Sequence, residues 1–265
     1  MLLSFAVRLP PQSDVVRRIL RMRRAIIAML VAAALIALVS FWREGAAHIR
    51  HLEEQAREIR ALQAEVDQGD AWENNDVKAR AAYQRGDWGT ALRLWRSVAR
   101  QAQEANRCTA AVVRSFASLG HLYYCGQGTP QDHVQAMRWF EMAAHYDLPD
   151  ALQALGVMYE HGEGVRRDAV KAASWFRKAA DYGVGSAQYD LGLMYREGRG
   201  VPVDYVLAYK WENLAAVSEG FSASASRARE DVEVKMSPDQ VAEAQRLARE
   251  WTPRDFEYCT WHSWN

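Results

Sequence analysis

The stretch GVMYEHGEGVRRDAVKAASWFRKAA, Gly156 to Ala180, sets two glycines, Gly162 and Gly164, between segments whose apolar residues fall at helical spacing. Three readings compete for such a pair: a phosphate cradle, a hinge, or a joint in a repeating scaffold. A cradle needs its glycines between a strand and a helix, with a Lys-Ser/Thr or a ribose-binding acid to follow. Helical spacing precedes these glycines, which removes the cradle. The flanking sequence decides between the other two. Leu155-Gly156 recurs 36 residues earlier as Leu119-Gly120 and 36 residues later as Leu191-Gly192. Everything around it keeps step: the pairs Gly126/Gly128 and Gly198/Gly200, then Asp132, Asp168 and Asp204, then Ala136, Ala172 and Ala208, then Trp139, Trp175 and Trp211, and finally Ala143-Ala144, Ala179-Ala180 and Ala215-Ala216. Self-similarity at a fixed period of this length marks a stack of supersecondary units.

Each unit resolves into two helices. Helix A ends at the first glycine of the pair, which adopts a left-handed conformation at low steric cost. The Asp that follows is placed to cap helix B by accepting from the free amides of its first turn. On helix B, Ala172, Trp175, Phe176 and Ala179 form an apolar stripe that one hairpin cannot bury, so neighbouring hairpins must stack. Gly120, Gly156 and Gly192 lie inside helix A, where glycine costs about 1 kcal/mol relative to alanine. Their recurrence at one register implies close approach of a neighbouring helix.

These residues resemble the Sel-one-like repeat family, a branch of the tetratricopeptide-like solenoids. Its pattern of Ala-x-x-x-Leu-Gly-x-x-Tyr, a Gly-x-Gly-Val loop, an Asp, then Ala-x-x-Trp and paired Ala is met almost fully at Ala151 to Ala180 and Ala187 to Ala216. The first unit departs from it, with Thr129 after the loop and Phe116 at the opening. AAYQRGDWGTALRLWRSVA (Ala81 to Ala99) looks like a shortened opening hairpin and SPDQVAEAQRLAREW (Ser237 to Trp251) like a closing helix, so the resemblance spans 76–251. It implies an all-α, right-handed α-solenoid that binds proteins along a concave groove lined by helix A. The helix A positions between the core residues are Ala117, His121 and Tyr124, then Gln153, Val157 and Glu160, then Tyr189, Leu193 and Arg196. They differ from unit to unit while the core positions repeat, and they form the candidate partner-binding groove. The resemblance further implies adaptor roles in envelope assembly, signalling or secretion.

Ahead of the array, residues 25–42 (AIIAMLVAAALIALVSFW) run 18 residues without a charge, about the minimum for a transmembrane helix. Arg17, Arg18, Arg21, Arg23 and Arg24 crowd its N-terminal side. Basic residues resist translocation, so 1–24 is expected to be a cytoplasmic basic tail and the repeat domain to stand in the periplasm, on a single-pass bacterial inner-membrane protein. A cleaved signal peptide is the competing reading, but SFWRE, bulky and charged, follows the apolar run where small residues are needed. Met22 is an alternative start that leaves this topology unchanged. In the stalk, 43–70, Ile49, Leu52, Ala56, Ile59 and Val66 alternate at three- and four-residue spacing with Gln63 in one slot, a short seam through which two copies could pair as a homodimer, or a lone amphipathic helix.

Chemistry is sparse. The 33 basic residues balance 33 acidic ones, so no global field favours nucleic acid. No His-Glu-x-x-His or Cys-x-x-Cys is present, and no cofactor or catalytic set is readable. Two half-motifs, His121-x-x-x-Cys125 and Cys259-x-x-His262, would need to be brought together to hold zinc. Cys108 and Cys125 fall at opposite ends of one expected helix, roughly 25 Å apart at about 1.5 Å per residue, so any disulfide would involve Cys259; unpaired structural thiols are the plainer expectation. The tail 252–265, with Phe256, Trp261 and Trp264, is aromatic enough to dock on the array as an added cap, or to contact a partner or the membrane. A membrane-anchored adaptor is thus the expected function. The alternatives are a cell-wall or β-lactam-directed enzyme, for which the regularly spaced cysteine pairs of the penicillin-associated relatives are missing, and a dimerising stalk.

Overall fold

The computed structural model describes Met22, Arg23, Ile26, Ala28 and Met29, residues 46–105 and 108–218, Gly220, and residues 222–258. All regular structure among them is helical. The expected span at 25–42 lies outside the described residues apart from Ile26, Ala28 and Met29, which are helical and exposed. No helix among the described residues is long and apolar enough to cross a membrane.

The chain divides into two compact units, Met1–Ala71 and Trp72–Asn265. Helix α1 (Ala46–Gln84) begins in the first and ends in the second. Of the expected stalk seam, Ala56 and Ile59 are half-buried, while the side chains of Ile49, Leu52, Gln63 and Val66 fall outside the described set.

The second unit is a stack of hairpins. The end of α1 pairs with α2 (Trp88–Ala105), α3 (Ala110–Cys125) with α4 (His133–Ala144), α5 (Pro149–His161) with α6 (Ala169–Asp181), and α7 (Gly185–Glu197) with α8 (Tyr205–Ala215). Each second helix packs on the next hairpin, and α8 is covered by α9 (Ser222–Glu233) and α10 (Pro238–Glu250). The core runs continuously through the stack, from Trp72 and Trp95 through Phe116, Leu155 and Phe176 to Leu191 and Val232.

The glycine pair is a joint with two jobs. Gly162 has φ 78° and its N–H, like that of Glu163, donates to the Met158 carbonyl, closing helix A. The chain then turns so that the Asp168 N–H donates to Tyr159 O at 2.9 Å while its carboxylate accepts from Lys171 N at 3.0 Å, capping helix B as expected. Gly164 does something else: a Cβ there would lie 2.4 Å from the carbonyl oxygen of His133, the first residue of the preceding helix B. The loop of one hairpin thus seats directly on the backbone of its neighbour. Gly128 and Gly200 repeat this contact against Trp88 and Ala169.

Two of the three glycines inside helix A answer to aromatic rings. A Cβ on Gly120 would meet the Phe140 ring at 2.7 Å, and one on Gly156 the Phe176 ring at 2.6 Å. The close approach expected from the repeat is therefore made by the helix B ring of the same hairpin. Three further features close the domain. Ser237 and Gln240 form the expected reciprocal capping box of α10. Helix α9 carries only Ala225, Ala228 and Val232 as a buried stripe, too weak a pattern to be read from the sequence. The tail docks along the side of the array: Arg254 N donates to Asp181 O at 2.8 Å, Phe256 meets Tyr182 edge-on at 6.1 Å, and Arg114 lies over the Tyr258 ring. Cys259, His262, Trp261 and Trp264 lie outside the described residues.

Candidate functional site

Helix A faces of successive hairpins line a cavity of about 520 Å³. Tyr83 at the end of α1, Ala117 and His121 on α3, and Asp150 and Ala154 on α5 form its walls, and Trp95 and Phe140 of the B helices contribute from below. Its aromatic character comes from local packing: Tyr83 meets Trp88 edge-on at 4.7 Å and Trp95 at 5.8 Å, and its hydroxyl lies 3.4 Å from His121 Nδ1. Trp95 in turn donates its indole N–H to the fully buried Asp76 at 3.0 Å, which also accepts from Arg114 at 2.9 Å. This network ties α1, α2 and α3 together beside the cavity.

The residues expected to form the groove divide into two groups. Ala117 and His121 line the cavity. Three of the others, Tyr124, Gln153 and Glu160, reach to the next hairpin. The Tyr124 hydroxyl donates to Glu163 at 2.7 Å, and burial together with that carboxylate pushes its ionisation up to about 12. Gln153 accepts from the Ser186 hydroxyl, and Glu160 pairs with Arg199. Arg196 faces Glu197 at 3.6 Å and both Glu212 and Asp231 at 3.9 Å. Val157 packs half-buried against the core, and Tyr189 and Leu193 are half-buried. Tyr124 to Glu163 and Glu160 to Arg199 are the same contact one 36-residue unit apart. Reading helix A of the opening hairpin as part of the same face would have found Tyr83 from the sequence; Asp150 needed the stacking geometry.

Polar chemistry concentrates in the third unit. Glu212 occupies the register position of Phe140 and Phe176, is fully buried against Gly192, and has no hydrogen bond to either carboxylate oxygen among the described residues. Burial, opposed by Arg196 and reinforced by Asp231, pushes its pKa up to about 7. Asp190 is raised to about 6 by burial and by Glu160.

Two expectations about cysteine and metal can now be placed. His121 and Cys125 do meet, with the sulfur 3.8 Å from Nε2, but no group of metal-binding side chains assembles among the described residues. Cys125 is a free, exposed thiol, whereas Cys108 is disulfide-bonded, correcting the expectation of unpaired thiols throughout. The reason is topological: the tail returns to α3, where Tyr258 sits against Arg114 near the start of the helix that Cys108 precedes.

The Sel1 repeat matches residues 117–145, 149–183 and 185–216, which coincide with the three hairpins built on the glycine joints. The chain belongs to the Sel1-repeat family. Among solved structures, this Sel1-repeat chain is similar to a protective antigen of uropathogenic Escherichia coli strains displaying an SLR fold, at 26% identity over 61% of this chain and 40% of that one, with a TM-score of 0.45. This chain therefore spans less than half the length of that antigen. It is also similar to a Sel1 repeat protein from Oxalobacter formigenes, at 35% identity over 50% of this chain and 94% of that one, with a TM-score of 0.42. No curated protein matches it. Sel1-repeat proteins typically mediate contacts between proteins and are generally not enzymes. The opening hairpin and α9–α10 lie outside the matched repeats.

Proposed function

We propose that this Sel1-repeat protein is a membrane-anchored adaptor of the bacterial envelope that recruits or regulates another protein through the helix A face of its array. The observation that carries the reading is the cavity between Tyr83, Trp95 and His121. Aromatic walls with a few polar groups suit an inserted apolar anchor from a partner. The remaining groove positions, Tyr124, Gln153, Val157, Glu160, Tyr189, Leu193 and Arg196, would flank that anchor. Anchoring rests on the uncharged run at 25–42 and the arginines before it. The disulfide at Cys108 supports a periplasmic position for the array, because such bonds persist in oxidising compartments.

A photoreactive residue at position 121 tests the groove in living cells, with the exposed Ser174 on α6 as a control. One discrete adduct from position 121 and none from 174 is expected; no adduct, or the same adducts from both, overturns the reading. Topology is checked separately. Alkaline phosphatase fused after Asn265 is expected to be active, and fluorescence only from a cytoplasmic reporter at that point would reverse the orientation.

A further inference from the structure

A second concavity, about 400 Å³, opens between α2 and α4 on the helix B side of the array. Its lining holds Arg93, Arg96 and Arg100 of α2 and no carboxylate, with Trp139 of α4 as an apolar wall stacked on Phe116. In a chain whose formal net charge is zero, this is a local excess of three guanidinium groups. None of the three forms a salt bridge within 4 Å among the described residues, although, behind the hydrogen bonds from Thr90, the charge of Arg93 helps to hold the Asp87 carboxyl below its ordinary pKa. Arg93 donates only to Thr90 Oγ1 at 2.9 Å, Arg96 to the Tyr123 hydroxyl, and Arg100 makes no hydrogen bond there.

The repeat itself separates structural from surplus charge. Arg96 contributes to a clasp between hairpins that Arg177 repeats with Tyr195. Arg100 has no such duty: the corresponding positions in the following units are His145, Asp181 and Val217, so stacking does not demand a cation there. Positions 93, 96 and 100 lie on one helical face, spread over roughly 10 Å at about 1.5 Å per residue. That span matches two or three carboxylates carried on a short peptide, and guanidinium forks pair with carboxylates bidentately.

We propose that this concavity is a docking site for an acidic peptide segment of a partner protein, separate from the helix A groove. A partner side chain lies against Trp139 while the segment's carboxylates pair with Arg93 and Arg100, on either side of the Arg96 clasp. The concave, tryptophan-walled shape favours an inserted peptide over a flat lipid surface. Because the two surfaces share no residue, this site and the helix A groove can fail independently.

The test uses the full chain in detergent with a fluorescein-labelled octaglutamate peptide, its octaglutamine counterpart, and vesicles containing anionic phosphatidylglycerol. Octaglutamate is expected to bind at 50 mM salt, octaglutamine not to bind, and affinity to fall as salt rises. The double variant R93E/R100E, two exposed side chains of which Arg93 donates only to the Thr90 hydroxyl one turn back on its own helix, is expected to weaken octaglutamate binding at least tenfold with an unchanged melting temperature, while His121→Ala leaves it unaltered. Should R93E/R100E lower the melting temperature, R93Q/R100Q provides the same comparison without charge reversal. Equal binding of the two peptides, or octaglutamate binding indifferent to both double variants, overturns the proposal. So does vesicle binding lost in R93E/R100E without any octaglutamate binding.

Discussion

Replacing Glu212 by glutamine isolates the cost of a carboxylate in a ring position. At Phe140 and Phe176 an aromatic ring fills the space above the helix A glycine; at Glu212 the same space holds a fully buried acid whose nearest cation, Arg196, is 3.9 Å away. Its pKa rises from the ordinary 4.5 to about 7. A raised carboxyl pKa means that the folded state holds its proton more tightly than the unfolded chain does. Stability is therefore complete below pH 4.5, falls as the unfolded chain releases its proton first, and levels off above about pH 7. At about 1.4 kcal/mol per pH unit of displacement, the drop amounts to about 3 kcal/mol. Glu212→Gln is neutral at every pH, so it should match the parent near pH 4 and exceed it by up to about 3 kcal/mol at pH 8. Arg196 is not stranded, since Glu197 and Asp231 remain beside it. Urea unfolding followed by circular dichroism from pH 4 to 8 gives the difference curve, in which the parallel contribution of Asp190 cancels. Hydrogen exchange over α7 to α10 shows whether the gain is local, as expected for a stack stabilised by nearest neighbours. A flat difference curve, or a variant that loses stability relative to the parent as pH rises, would refute the reasoning.

Gly156→Ala should destabilise the array by about 1 to 2 kcal/mol despite alanine's better helix propensity, because its Cβ would lie 2.6 Å from the fully buried Phe176 ring; a raised midpoint in urea would show that the ring yields freely. Asp168→Ala removes the carboxylate that caps α6 and should cost about 1 kcal/mol, measured by the same unfolding, with Asp168→Ser recovering most of it. A double-mutant cycle on Glu160 and Arg199 should return a coupling of about 0.5 to 1 kcal/mol that shrinks in high salt, and no coupling would reduce that pair to a surface contact.

The joints, caps and buried stripes were legible because they repeat every 36 residues and act within one hairpin. Helix α9 was not, since its buried face is only Ala225, Ala228 and Val232 in an otherwise polar segment. The helix A face is the instructive case. Variation among Tyr124, Glu160 and Arg196 reads equally as an open binding surface or as drift, because helical periodicity says nothing about what lies on the next hairpin. Stacking supplies the missing offset of 39 residues, and the variation then becomes paired: Tyr124 with Glu163, Glu160 with Arg199. Carried one unit further, the same offset sets Arg196 against Lys235, two cations that cannot clasp. Arg196 instead faces Glu212 and Asp231, and α9 and α10 cover the stack where a fourth matched hairpin would sit. The buried acid at the ring position and the end of the array are thus two sides of one substitution. The last helix B exchanges its aromatic ring for a carboxylate at the point where the last helix A carries a cation with no partner on a following repeat.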